Sequence, residues 1–91
     1  LKSKKRNAIV RSIFNGEISF IKKNDSRFKN IVMVKYDDGL NGIYLNLDEV
    51  SSEVFVGKKV LKGFILGKVD EILTFQATKN NKYIDPERLF K

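Results

Sequence analysis

Gly57-Lys58-Lys59-Val60-Leu61-Lys62-Gly63-Phe64-Ile65-Leu66-Gly67 and, shortly after it, Leu73-Thr74-Phe75-Gln76-Ala77 are the two stretches from which the fold of this chain is read. The first sets glycines in the frame Gly-x-x-Val-x-x-Gly-x-x-x-Gly, the spacing of a glycine-framed hairpin. The second alternates apolar and polar residues with period two, the spacing of a strand with one buried face. The same period recurs upstream. Ile18 and Phe20 alternate with Glu17 and Ser19, and Ile31, Met33 and Lys35 with Val32, Val34 and Tyr36. Ile43, Leu45 and Leu47 alternate with Tyr44 and Asn46. Ala8 to Ile13 and Val60 to Val69 add two weaker strand patterns.

Turn chemistry punctuates these runs. Asn15-Gly16, Asp38-Gly39 and Asn41-Gly42 supply residues that tolerate positive φ. Lys22 to Lys29 reads as a polar loop, Ser51 to Glu53 as another, and Asn80-Asn81 as the break before the tail. In the tail, Asp85 suits an N-cap and Pro86 the first helical position, so one short helical turn is expected there, with Leu89 or Phe90 packed on the strands. Short strands at close spacing, without a long amphipathic helix, predict an all-β fold, a small antiparallel barrel or sandwich.

Composition bounds the rest. With 91 residues there is room for one core, and an apolar fraction of 42% is enough to form it. No apolar run approaches the ~20 residues that span a bilayer. The chain does not begin with Met and reads as part of a longer protein, with any targeting information outside these residues. The net charge of +7 is uneven. Lys2, Lys4, Lys5, Arg6 and Arg11 carry +5 in the first eleven residues, and the other 80 hold 13 bases against 11 acids. Residues 1–7 are therefore expected to be a basic lead-in and residues 8–91 the domain. A nucleic-acid domain would spread its bases over a face. There is no Cys and no His. Thiol chemistry is excluded, and so are the usual neutral-pH general base and the commonest zinc ligand. No Asp-x-Asp-x-Asp loop offers an all-oxygen metal site.

Five collinear segments carry a resemblance. The glycine frame, and the single stretch that runs from Leu73-Thr74-Phe75-Gln76-Ala77 through Lys79-Asn80 to Ile84-Asp85-Pro86, resemble the C-terminal half of the lysostaphin or LytM-type zinc endopeptidases. There a glycine-framed hairpin precedes Leu-His-Phe-Glu and an Asp-Pro tail. Val10 to Ile18, Ile31 to Gly39, and Ile43-Tyr44-Leu45-Asn46-Leu47 resemble, in the same order, that family's first hairpin, central strand and Leu-Tyr-Ala-His-Leu strand. The resemblance covers Val10 to Phe90. It implies the family's small antiparallel β fold, a duplicated hybrid barrel, and a place in the bacterial cell envelope outside the cytoplasm.

It also implies a lost active site. The family's zinc is held by a His, an Asp and the second His of a His-x-His pair, and it activates water at the scissile peptide. In this chain the pair falls on Ile72 and Thr74, and the catalytic His of the Tyr-x-His strand falls on Asn46, an amide without basicity. The first His and Asp would lie upstream of Leu1 or be missing. No cofactor, no metal and no catalysis are then expected. Leu73, Phe75 and Ala77, with Ile43, Leu45 and Leu47, are expected to face the core. Tyr44, Asn46, Thr74 and Gln76 are expected to line the former substrate groove. The implied partner is peptidoglycan, a cell-wall hydrolase or another envelope protein, without nucleic acid and without membrane contact by this segment.

Blander readings stand beside these. Tyr44, Asn46, Thr74 and Gln76 also suit the outward face of an ordinary sheet. The acid pairs Asp37-Asp38, Asp48-Glu49 and Asp70-Glu71 sit beside turns, where solvation explains them. Lys58, Lys59, Lys62 and Lys68 suit either an anionic partner or a solvated hairpin. Phe14, Phe28, Phe55, Phe64 and Tyr83 read as core or rim. Two further classes compete with the envelope module. A biotinyl or lipoyl-like carrier would need a lysine at an exposed hairpin tip, for which Lys68 after Gly67 is the candidate. A basic nucleic-acid-binding barrel rests on net charge alone.

Overall fold

A computed structural model describes residues 2–4, 8–36, 39–70, 72–80 and 82–84. The described residues form β1 (Lys2–Lys4), β2 (Ala8–Arg11), β3 (Gly16–Asp25), β4 (Lys29–Lys35), β5 (Leu40–Leu47), β6 (Glu49–Val50), β7 (Lys59–Val60), β8 (Ile65–Val69), β9 (Ile72–Lys79) and β10 (Lys82–Ile84). They make two antiparallel sheets. The larger has the order β1-β9-β5-β4-β3-β7, with β10 also on β9, and the smaller runs β2-β8-β6. The all-β expectation holds. The helical turn expected from Asp85 onward lies outside the described residues. Among the described residues, no helix is long and apolar enough to cross a membrane.

The two sheets close over one core of Val10, Ile18, Val32, Val34, Tyr36, Tyr44, Leu47, Val60, Leu66, Val69, Phe75 and Ala77. Alternation puts these residues inside. β4 shows it plainly: Val32 and Val34 are fully buried while Lys35 is exposed. Ser12 is the buried polar residue, and its hydroxyl donates to Phe14 O at 2.7 Å.

The glycine frame is explained by two different physical needs. Gly63 has φ +91, which a side chain rarely adopts, and it makes the turn into β8. Gly67 sits where β8 meets β6 and is buried, and a Cβ there would fall 2.1 Å from Glu49 O. The small sheet therefore closes on β6 only with a hydrogen at that position.

Several local expectations change. The stretch Lys22 to Lys29 is mostly strand: β3 runs to Asp25 and β4 begins at Lys29. The polar residues hold a tight turn instead of a loop. The Asp25 carboxylate accepts the N–H groups of Arg27 (2.8 Å) and Phe28 (2.9 Å) and pairs with Lys22 Nζ at 3.0 Å. The Arg27 N–H, then Lys22 and the Phe28 N–H, lower its pKa from 3.8 to about 2. Residues 1–7, expected as a lead-in, include β1, with Lys2, Ser3 and Lys4 opposite Thr74, Leu73 and Ile72. The segment expected as one strand from Val60 to Val69 is split into β7 and β8 by the turn at Gly63. Lys68 lies within β8, the central strand of the small sheet, between Ile9 and Glu49. It is no hairpin tip, which removes the attachment site that a carrier domain needs.

Two outcomes follow. Gly67→Ala is expected to destabilise the fold by about 2–3 kcal/mol, because backbone must move to admit the methyl group. Urea unfolding checks this as a lower midpoint at unchanged slope. A depressed folded-state pKa means that the Asp25 turn stabilises the fold fully above its ordinary value of 3.8 and loses that contribution as the pH falls towards about 2. Asp25→Asn is expected to flatten stability across that window, measured by unfolding at a series of acid pH values.

Candidate functional site

The pairing of β5 with β9 sets the geometry of the expected site. Ile43, Tyr44 and Leu45 lie opposite Gln76, Phe75 and Thr74. Tyr44 and Phe75 share the core face, with ring centroids 4.9 Å apart. Alternation then puts Ile43, Leu45, Thr74 and Gln76 on the other face. Thr74 and Gln76 are half-buried there.

A bulge follows. Between β4 and β5 the register shifts, Asn30 lying opposite Leu47 and Val32 opposite Tyr44, so β5 carries one extra residue. Asn46 takes it up with φ +66, a left-handed conformation that asparagine tolerates better than most side chains. Its N–H is held by Phe28 O at 2.9 Å. The bulge returns Leu47 to the core and turns the Asn46 amide across to β9, where Nδ2 donates to Thr74 Oγ1 at 3.1 Å. The structure thus brings Asn46 and Thr74 together, with Gln76 further along the same face. Ile72 lies two residues before Thr74 on β9, opposite Lys4 of β1.

Tyr44 is a correction. It was expected in the groove but is 2% exposed in the core. Its hydroxyl accepts the Ile13 N–H at 3.2 Å and lies 2.5 Å from the Tyr36 hydroxyl. Burial pushes both phenols above the ordinary tyrosine range, for Tyr36 with a further contribution from Tyr44 beside it. The reading that placed Ile43 in the core fails for the same reason, whereas Leu45 is buried as expected, at 6% exposure, opposite Thr74. A single period-two phase cannot describe a strand with a bulge near its end, and residues before the bulge occupy the opposite phase to Leu47. The signal available in the sequence was Asn46 itself, a residue suited to positive φ within an otherwise apolar run.

The chemistry of this face does not suit zinc. Asn46 and Gln76 offer neutral amides and Thr74 a neutral hydroxyl, whereas zinc sites are built from thiolate, imidazole and carboxylate. The whole sequence contains neither His nor Cys. Among the described residues no group of three or more His, Cys, Asp or Glu is placed to hold a metal ion. Beside the site, Asp48 ties three segments. Its carboxylate accepts from Lys29 Nζ at 2.8 Å and from the Asp70 N–H, and the lysine first, then that N–H, lower its pKa. Asn30 Nδ2 donates to Leu47 O at 2.8 Å and Asp48 O at 3.1 Å, which fixes the strand end that carries Asn46. A cleft of about 420 Å³ lies elsewhere, along the β3–β7 edge, lined by Asn15, Glu17, Lys35, Tyr36, Lys59 and Leu61.

The pattern of peptidase family M23 matches residues 2–86. No curated protein matches the sequence. Among solved structures, Helicobacter pylori Csd3 superposes with a TM-score of 0.85 at 22% identity, over 94% of this chain and 24% of the Csd3 chain. Lysostaphin in solution gives a TM-score of 0.81 at 22% identity, over 97% of this chain and 40% of that one. A chain of the SpoIIIAH and SpoIIQ complex gives 0.83 at 24% identity, over 92% and 63% respectively. This chain therefore spans about a quarter of the length of Csd3, and at these identities the likeness is one of fold.

A double-mutant cycle tests the contact at the site. Asn46→Gly keeps the positive φ while removing the amide, and Thr74→Val removes the hydroxyl. Their destabilisations are expected to be non-additive by about 0.5–1 kcal/mol, the net value of one neutral hydrogen bond. Strict additivity in urea unfolding would show that the two side chains do not interact.

Proposed function

We propose, from the premise that this chain belongs to peptidase family M23, that it is a non-catalytic domain of a bacterial envelope protein, acting outside the cytoplasm by binding. The observation that carries this reading is the Asn46–Thr74 hydrogen bond at 3.1 Å. The positions that resemble the family's catalytic and zinc-binding imidazoles are filled by two neutral groups, each serving as the other's partner. A water molecule on that face would meet neither a Lewis acid nor a base with a pKa near neutrality. The fold, the core and the groove-bearing face are kept, while the groups that drive the chemistry are replaced.

What that face retains is hydrogen-bonding capacity beside apolar surface: Asn46, Thr74 and Gln76 next to the half-buried Ile43. Such a face suits the amide-rich stem peptides of the cell wall, which are bound by matching amide donors and acceptors without being cleaved. Ile72 and Thr74 are the replaced positions on β9 and Asn46 the one on β5. We assign Asn46, Thr74 and Gln76 to binding and none to catalysis. A protein partner in the envelope is supported more loosely, by the presence of a fold neighbour in the complex of SpoIIIAH with SpoIIQ.

Co-sedimentation of the purified chain with isolated peptidoglycan sacculi, at low salt and at ~300 mM salt, tests this reading. Binding is expected to survive the higher salt and to fall several-fold in Gln76→Ala. Binding lost with salt would reduce the interaction to the chain's positive charge. Zinc-dependent release of peptide from sacculi would overturn the non-catalytic assignment.

A further inference from the structure

Two β-turns of the same build flank β7. Phe55 to Lys58 is closed by the Lys58 N–H on Phe55 O at 3.1 Å, and Leu61 to Phe64 by the Phe64 N–H on Leu61 O at 2.9 Å. The third residue of each is a glycine at positive φ, Gly57 at +96 and Gly63 at +91. A Cβ at either glycine would meet nothing within 4 Å, so both turns stand out into solvent. Lys58 Nζ joins them, lying 5.5 Å from the Phe55 ring centroid and 5.3 Å from that of Phe64.

The tips hold apolar side chains in water. Leu61 (71% exposed), Val56 (61%) and Phe55 (56%) are the three most exposed large apolar residues described. Bases surround them. From Val54 to Gly67 the sequence holds Lys58, Lys59 and Lys62 and no acid. Arg11 joins from β2, its Nη1 donating to Gly63 O at 3.0 Å. Glu17 is the acid beside them, opposite Lys59 on β3. Among the described residues, none of these four bases forms an ion pair.

Few occupants satisfy both kinds of group. An anionic polymer offers the bases partners but gives Phe55, Val56 and Leu61 no apolar medium. A second copy brings the same lysines, and a net charge of +7 opposes it. A protein would need a groove shaped to two separate tips. An anionic lipid surface needs no matching shape and supplies both an acyl boundary and phosphates.

We propose that the turns Phe55–Lys58 and Leu61–Phe64 dock this domain on an anionic lipid surface. Phe55, Val56 and Leu61 enter the headgroup boundary, and Arg11, Lys58, Lys59 and Lys62 meet lipid phosphates. The contact is peripheral. It departs from the expectation of no membrane contact, because the apolar residues responsible stand at two turn tips and form no long run in the sequence. β4 and β3 separate this end of the large sheet from the β5–β9 face, and the proposal does not depend on what that face binds.

Flotation of the 91-residue chain with lipid vesicles tests this. Vesicles of equal parts phosphatidylglycerol and phosphatidylcholine are expected to carry the chain, and vesicles of phosphatidylcholine alone to bind it about tenfold more weakly. Leu61→Ser and Lys62→Gln, both at exposed turn positions, are each expected to weaken binding by about fivefold at an unchanged urea midpoint. The chain contains no Trp, so Val56→Trp adds a single reporter. Its emission is expected to shift to the blue on the mixed vesicles and to be quenched by lipids brominated on the acyl chain. Ser26→Trp, in the exposed turn between β3 and β4, is expected to do neither. Absence of flotation, equal binding to phosphatidylcholine alone, full binding by Leu61→Ser, unshifted emission from bound Val56→Trp, or quenching of Ser26→Trp would each overturn the proposal. Equal affinity for soluble polyphosphate would make an anionic polymer the occupant and overturn it too. So would self-association that Leu61→Ser abolishes, since a second copy would then cover the tips. Salt-resistant binding of Leu61→Ser to sacculi is expected to be unchanged. Its loss along with vesicle binding would show one shared surface and overturn the assignment.

Discussion

The register of β5 against β9 is the constraint on which the other features rest. It puts Tyr44 on Phe75 inside the core and, one residue later, Leu45 against Thr74 on the opposite face. From β5 the sheet extends through β4 and β3. The Tyr44 hydroxyl reaches back to the Ile13 N–H in the segment between β2 and β3, and so links the large sheet to the chain leaving the small one. A slip of one residue between β5 and β9 would put Tyr44 and Phe75 on opposite faces of the sheet, taking one of the two rings out of the core. The core and the face that carries Thr74 are thus two consequences of one pairing, seen from the two sides of the same sheet.

The small sheet is positioned by a different kind of contact. Asp48 N–H donates to Lys68 O and Ser51 N–H to Leu66 O, and Gly67 passes Glu49 O too closely for any side chain. Backbone meets backbone there, with no side chain between. Leu66 and Val69 from β8 then fill the core beside Val10 and Leu47. The last member of the glycine frame thus specifies a distance between strands, which apolar patterning cannot do.

Much of this was legible in the residues. The period-two runs located β3, β4, β5 and β9, and Leu73, Phe75 and Ala77 face inward as their alternation implied. Three kinds of feature were not legible. The strands β6 and β7 have two residues each and exist only as pairings with β8 and β3, so they leave no periodic trace. β1 reads Lys-Ser-Lys, a polar sequence that forms a strand because the edge of β9 offers it a ladder. The bulge at Asn46 inverted the inferred faces of β5 at Ile43 and Tyr44, because a bulge is a relation between two strands and the pattern of one strand does not contain it. At the site itself, the resemblance named Asn46 and Thr74 from positions far apart in sequence, and only the three-dimensional register reveals that their side chains touch.

That contact has a consequence for how the sequence is free to change. Once Asn46 and Thr74 satisfy each other on a half-buried face, they drift as a pair. A side chain at either position that cannot make the bond leaves the polar group of the other without its partner, at a cost of about 0.5–1 kcal/mol on a half-buried face. A small domain of marginal stability tolerates few such steps. The hydrogen bond therefore works as a ratchet in sequence space: a path that replaces the two residues one at a time must cross a less stable intermediate. Paths that keep the pair, or exchange both members together, stay level.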